Sequence, residues 1–467
     1  MNPSLLRFVL TTALSMGLVS CATGQNAKPY RTANVKAVDA WTTAQQQRFA
    51  GNTNVWVRRG IVSDRSTRKV EILAEATGLE AGAIAEFLLV GEGSEKDYEA
   101  LTVSFARGGD LVRGLEFIGV PRGRPVNSAA CQFWPKGERV LATVRILGRD
   151  EPSAWPLQSC LADKRRDMPL PETFVAVGSC WTGNAANATC LADDPSPGGI
   201  VATYNERTVV LDVPSQSPQG EVYGNLVVAA AHRFDGGALL AMTFAPEPRP
   251  DGRPRVIDVA LDVHRNPDAQ GDGLGTVTCV TRGSDASLPP ATNDVKGALE
   301  RLAGLAKSAH DPFVTVTLDD GMTVATMRDL ASVLKKVEGE GGIRIEPPPV
   351  GQLYYKAFLP DDKWRARGER IAQPWELRLG RDKGGVWRFT LVQILEDWSK
   401  QGQINPDLTV KEHPLERWED LAVKIKALGG GINTLFVFAP GDAPLSVFMP
   451  AVRQVHAMLP TVYVFCD

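Results

Sequence analysis

Histidine is scarce in this chain, with 5 in 467 residues, and no C-x-x-C pair occurs anywhere. The second absence removes the cysteine spacing that zinc ribbons and iron–sulfur clusters use. G-x-S-x-G, H-E-x-x-H and P-loop patterns are also missing, and with them the usual sequence signs of serine hydrolases, zincins and P-loop NTPases. Charge is nearly balanced, at −3. A nucleic-acid binder would want a basic stripe, so nucleic acid is not an expected partner. The one short basic cluster, Lys164-Arg165-Arg166, is followed at once by Asp167 and reads as a solvated loop. No apolar run reaches the roughly 20 residues that a membrane-spanning helix needs, so no such helix is expected.

What is present begins at the N-terminus. Arg7 supplies a positive charge, Phe8 to Leu18 is a short apolar stretch, and Leu18-Val19-Ser20-Cys21 closes it. Charged start, apolar middle and small residues before a break form the pattern of a secretory signal over residues 1–20. The last four residues resemble the bacterial lipobox. That resemblance implies cleavage before Cys21 and lipidation of its thiol. Each buried methylene contributes about 0.8 kcal/mol, so several acyl chains anchor firmly where one does not. Ala22 follows the cysteine with no aspartate near, which in the proteobacterial sorting pattern favours the outer membrane, facing the periplasm. The alternative is a plain secretory signal with an incidental cysteine.

Of the 7 cysteines, setting Cys21 aside leaves an even number, in a compartment where disulfides persist. The short loop between Cys180 and Cys190 holds Gly183, Asn184 and Asn187 and suggests one bridge. Cys131 with Cys160 is a second pairing to expect.

Residues 21–60 are polar and alanine-rich and read as a tether with room for one short helix. From 61 to 283, runs rich in β-branched and aromatic residues dominate, bounded by Gly, Pro and Asp. A helix over Asp110–Ile118 interrupts them, and Pro-rich Ala245–Arg255 reads as a loop. The stretch 284–294 reads as a linker. Beyond it the period changes to that of helices. Val295, Leu299, Leu302 and Leu305 share a face, as do Met327, Leu330, Leu334 and Val337. Leu391, Ile394, Leu395 and Trp398 do the same, and so do Trp418, Leu421, Ile425 and Leu428. Gly429-Gly430-Gly431 stops the last of these. A strand at 434–438, a helix at 446–459 and a strand at 461–465 suggest a parallel βαβ unit. The expected fold class is α+β: a β-rich region, then an α/β region over 295–382 and another over 383–467.

Four blocks in order carry a resemblance for the β-rich region: EFLLVGEGSEKDYEALTVS (Glu86–Ser104), GDLVRGLEFIGV (Gly109–Val120), FVAVGSCW (Phe174–Trp181) and GGIVATYNERTVVLDVP (Gly198–Pro214). Together they resemble the YdjY domain of bacterial envelope lipoproteins, which implies a fold unit and a compartment but no chemistry. The stretch Glu416–Phe465 is similar to the periplasmic domain of the ExbD/TolR family, and 312–346 resembles a degenerate copy of it. That family's proton-coupled work depends on a transmembrane helix with a buried aspartate. No such helix is expected here, so only partner binding and homodimerisation through the C-terminal unit carry over.

The individual constellations point weakly. Glu86 and Glu99 fall on two arms of an expected hairpin around Gly91–Lys96. Carboxylates held together there can raise a pKa or hold a cation; the plainer alternative is a wet hairpin face. Asp268–Cys279 begins like an EF-hand loop, but Cys279 stands where the bidentate glutamate belongs, so a glycine-rich turn is the simpler reading. His232 and His264 sit at strand ends, and His456 falls near the apolar face of the last helix. Trp134, Trp155 and Trp181 read as packing residues. No cofactor, catalytic residue or metal ligand is assigned. The leading expectation is a non-catalytic cell-envelope lipoprotein, held to the membrane by its lipid, that binds a protein partner or peptidoglycan. The alternative is a secreted enzyme or metal-binding redox accessory using the carboxylates of the first domain.

Overall fold

The computed structural model describes residues 29–467 apart from 128–131, 149–153, 166–169, 185–186, 197, 250–251, 253–254, 285–287, 309, 349–351, 360–373, 398, 401–405, 430–433, 456–457 and 460. The signal segment, Cys21, Cys131, Trp398 and His456 therefore lie outside the described residues. The chain mixes helices and strands throughout. No helix among the described residues is long and apolar enough to cross a membrane.

Eight strands close into a mixed barrel. They are β1 (Lys69–Ala76), β2 (Phe87–Val90), β3 (Ala100–Ser104), β4 (Arg139–Ile146), β5 (Phe174–Ala176), β6 (Gly199–Ala202), β7 (Leu211–Asp212) and β8 (Leu239–Pro246). The pairing runs β1-β8-β4-β5-β7-β6-β2-β3 and returns to β1 through the β3–β1 pair. Closure gives every barrel strand a partner on each side, so the ring has no open edge strand. β2 with β3 and β6 with β7 pair in parallel; the other contacts are antiparallel. Val70, Ile72 and Ala74 of β1 share a buried cluster with Leu111 and Leu115 of helix α2 (Gly108–Phe117). A 20-residue helix, α1 (Pro29–Arg48), occupies the expected tether. It is docked on the barrel: Val38 is fully buried with Leu73, Phe105 and Ala241. Asn34 donates to Glu75 at 2.7 Å, and Gly60 N–H donates to the Thr42 hydroxyl.

Two five-stranded sheets follow. The first contains β9 (Val256–Arg265), β10 (Val277–Gly283), β11 (Ala291–Asn293), β12 (Asp311–Leu318) and β13 (Arg344–Glu346), in the order β11-β10-β9-β12-β13. The second contains β14 (Trp375–Arg381), β15 (Trp387–Asp397), β16 (Asp407–Leu415), β17 (Leu435–Ala439) and β18 (Val462–Cys466), in the order β16-β15-β14-β17-β18. In each, the first three strands form an antiparallel meander. The fourth then pairs in parallel with the first, and the fifth with the fourth. Helices α3 (Val295–Lys307) and α4 (Val324–Gly341) lie between the later strands of the first unit. α5 (Asp420–Ala427) and α6 (Met449–Val455) hold the same places in the second. The second unit thus repeats the topology of the first.

The helix ends follow local chemistry. Asp294 caps α3 by accepting from Gly297 N–H, and Thr323 caps α4 by accepting from Thr326 N–H, which satisfies first-turn donors. α4 stops at Gly342 and α5 runs out at Gly429, both with positive φ, as glycine C-caps require.

The repeated units meet through equivalent turns. Val324 N–H donates to Ala443 C=O at 3.0 Å, and Leu445 N–H to Met322 C=O at 2.8 Å. Ala325 N–H donates to Gly441 C=O, Ser446 N–H to Asp320 C=O, and Thr323 faces Pro444 in an antiparallel bridge. Met322 corresponds to Ala443, Thr323 to Pro444 and Val324 to Leu445 at one constant offset, so the contact is reciprocal about a local two-fold. One continuous core spans both units, from Ile257 to Val464. A charged network joins the first unit to the barrel: Arg139 donates to Asp311 at 3.0 Å, Arg255 donates to the same carboxylate, and Arg124 pairs with Glu346.

Several expectations are corrected. Leu391–Leu395 lies in strand β15, not in a helix. The stretch read as a linker contains strand β11, and β9 and β10 belong with the following unit's sheet rather than with the barrel. β2 and β3 are parallel, so Glu86 and Glu99 are not on the arms of a hairpin.

Candidate functional site

Glu86 and Glu99 do come together, because each immediately precedes one strand of the parallel β2–β3 pair. Glu86 N–H donates to Glu99 C=O at 2.9 Å. Both residues are buried. Gln219 donates to Glu86 Oε2 at 2.9 Å, and Glu86 Oε1 is buried with no hydrogen-bond partner among the described residues. Burial, together with the charge of Glu99, pushes the Glu86 carboxyl above its ordinary range despite the Gln219 bond. Lys96 Nζ lies 2.8 Å from Glu99 Oε1. Partial burial works against its ammonium, but the hydrogen bond and charge of Glu99 outweigh it, and its pKa rises. The positive charge beside this pair is therefore supplied by the chain itself. Tyr204 closes the cluster, its ring centre 5.7 Å from that of Phe87 in an edge-on contact. Burial raises its hydroxyl pKa, and the nearby carboxylates add to the effect.

Sequence reasoning missed Asp212. It is fully buried on β7, with Oδ1 accepting from Val213 N–H at 2.7 Å and from Asn205 at 3.2 Å. Burial raises its pKa well above the ordinary carboxylate value. Nothing in the local pattern flags it, since a charge between Leu211 and Val213 reads as an outward strand position.

The other ends of β2 and β3 open into a cleft of about 630 Å³. Its floor is where the blocks Glu86–Ser104 and Gly109–Val120 meet the loop Thr189–Gly198. Helix α2 begins there without a side-chain cap of its own. Asp193, far along the chain, does the work, accepting from Gly109 N–H at 3.0 Å. A carboxylate suits the positive end of a helix, although burial raises the Asp193 pKa in spite of these bonds. Gly108 and Gly109 permit the docking: a Cβ on the first would lie 2.6 Å from Ala192 Cβ, and on the second 2.8 Å from Asp193 Oδ2. Around the cleft stand Arg59, Glu92, Arg107, Asp110 and Asp194. Arg59 pairs with Glu92 and Asp39, and Asp110 with Arg113. Arg107 is exposed at the rim. Charges of both signs thus face one concavity.

Cys180 and Cys190 flank this region as free thiols, and Cys160 is also free, so the expected Cys180–Cys190 bridge is not formed in the structure. Leu191 N–H bonds to Cys180 C=O, and Cys190 pairs in register with Trp181 rather than with Cys180. Burial pushes the Cys160 thiol up to about 12. The pairing of Cys160 with Cys131 lies outside the described residues. Trp181 is held by its indole N–H to Gly178 C=O and lies beneath the guanidiniums of Arg113 and Arg122. Trp134 is buried, and Trp155 packs on His232 at 5.6 Å. His264 stands on β9 in another sheet. In the EF-hand-like stretch, Gly273 N–H donates to Thr326 and Cys279 is buried in β10.

In comparison with known proteins, no family model matches this chain and no curated protein matches it significantly.

Proposed function

We propose that this chain is a lipid-anchored protein of the bacterial cell envelope that works by binding, holding a protein partner or a peptide-bearing cell-wall polymer in the barrel cleft. The observation that carries this reading is the cleft itself, a concavity lined by both cationic and anionic groups. Concavities with a few convergent polar groups are the usual form of a binding site. A peptide segment presents an amine and a carboxylate together, and Arg107 with Asp194 offers the complement. The lipobox supplies the anchor and the compartment. The competing reading, a cation held by Glu86 and Glu99, is disfavoured because Lys96 already pairs with Glu99 and Gln219 with Glu86.

The test is co-sedimentation of the full chain with purified peptidoglycan sacculi, alongside capture from envelope extracts. Arg107→Glu and Asp194→Lys should each weaken retention about tenfold or more, the scale of a lost charge-assisted hydrogen bond. Retention unchanged by both variants, or no retention of either class, overturns the proposal.

A further inference from the structure

The longest edge strand of the two α/β units is β16, and it is bare. Asp407 to Glu412 are all exposed. An edge strand presents unpaired N–H and C=O groups to any strand that approaches, and proteins ordinarily shorten or cover such edges. The other edges here follow that rule: β11 and β13 have three residues each, and β18 is packed against the turn Tyr355–Phe358. β16 also overhangs its sheet. β14 pairs with β15 only as far as Gln393, whereas β15 and β16 continue together from Ile394–Val410 to Asp397–Asp407. Among the described residues the ribbon is two strands wide over that stretch, a form that is marginal in water. It also exposes Leu408 and Val410, at 61% and 56% of their surface.

We propose that β16 pairs antiparallel with β16 of a second copy of this chain, about a two-fold axis at Thr409. The sequence is self-complementary in that register. Asp407 of each copy faces Lys411 of the other, Leu408 faces Val410, and Thr409 faces itself. The two charge pairs and the Thr–Thr pair fall on one side of the ribbon and the four apolar side chains on the other, because side chains alternate along a strand. Moving the axis half a residue toward Val410 places Asp407 against Glu412, a repulsive pair, and moving it half a residue toward Leu408 sets Lys411 against Pro406 and loses both charge pairs. Pro406 and Pro414 flank the segment and, lacking N–H groups, confine pairing to the residues between them. Within its own chain Asp407 pairs only with exposed Lys400 among the described residues, and an ion pair between two exposed groups contributes little. The intramolecular two-fold uses the turns at Met322–Ala325 and Ala443–Ser446, so it leaves β16 available. This inference stands apart from the barrel cleft.

The test uses full-length chains carrying two different tags, co-expressed and extracted in detergent, with co-purification as the readout. Wild-type copies should co-purify. Asp407→Lys alone and Lys411→Asp alone each place like charges opposite one another twice, and should reduce co-purification about tenfold. Asp407→Lys on one tag with Lys411→Asp on the other restores both pairs and should restore co-purification. Both positions are exposed, and unchanged thermal melts show that each variant still folds. Failure of wild-type copies to associate, insensitivity to both single variants, or no rescue on mixing overturns the proposal.

Discussion

Asp212 has no solvent exposure, and its carboxyl pKa lies well above its ordinary value of 3.8 because burial penalises the charge. The folded chain therefore holds this proton more tightly than the unfolded chain does. By linkage, the stability from the protonated form is present in full below the unfolded value and is lost as pH rises through the folded value. Asp212→Asn keeps an oxygen for Val213 and Asn205 and removes the ionisable group. Its melting temperature should match wild type near about pH 4 and exceed it at about pH 8; thermal melts across that range check this, and a difference independent of pH contradicts it. Glu86 is held in the same sense by burial. The sequence suggested Glu86 and Glu99 as a pair through a hairpin that does not form; a parallel strand pair brings them together instead. It could not show Lys96 beside them, nor Asp193 at the head of α2, because those contacts depend on how the 91–99 and 189–198 loops fold back. Gly108-Gly109 was the one local signal of close approach.

At the scale of elements, helices α2 to α5 were legible from their period, and the end of α5 from its glycines, whereas β15 was not. Leu391 and Val392, adjacent on that strand, are both fully buried. A strand covered on both faces loses its alternation, and short apolar runs of that kind fit either period. Helix α1 was expected only as one short helix within a tether, for the opposite reason. Among its residues 31–48 only Val38 and Thr42 are buried, and polar contacts through Arg31, Asn34 and Thr42 hold much of the rest, so its pattern resembles that of a tether. The reciprocal turn contact carries its own prediction. Val324 is the first residue of α4 and follows Thr323, which is extended at φ −84, ψ 158; both facts suit proline at that position. Val324→Pro removes the N–H that Ala443 accepts, crowds that carbonyl with its ring and alters a fully buried side chain. It should cost more than about 1 kcal/mol and speed amide exchange at Leu445 and Ser446, measured by denaturation and hydrogen exchange. Unchanged exchange at those amides contradicts the reciprocal contact.

For the whole molecule, the order of units was partly legible and their boundaries were not. β9 and β10 follow the barrel strands with the same composition, and only their pairing with β12 and β11 assigns them to the next unit. The ion network through Arg139, Asp311 and Arg255 then ties that unit to the barrel. Breaking such a buried network by removing one partner leaves a charge uncompensated, so the barrel and the repeated units have reason to move together. On this account the assembly hangs from the membrane by its first processed residue and presents the cleft and the bare strand to the periplasm. Mass spectrometry of the native polypeptide tests that most directly. The account predicts an N-terminal peptide beginning at Cys21 and carrying an acyl mass; an intact Met1 with no acyl adduct would contradict it.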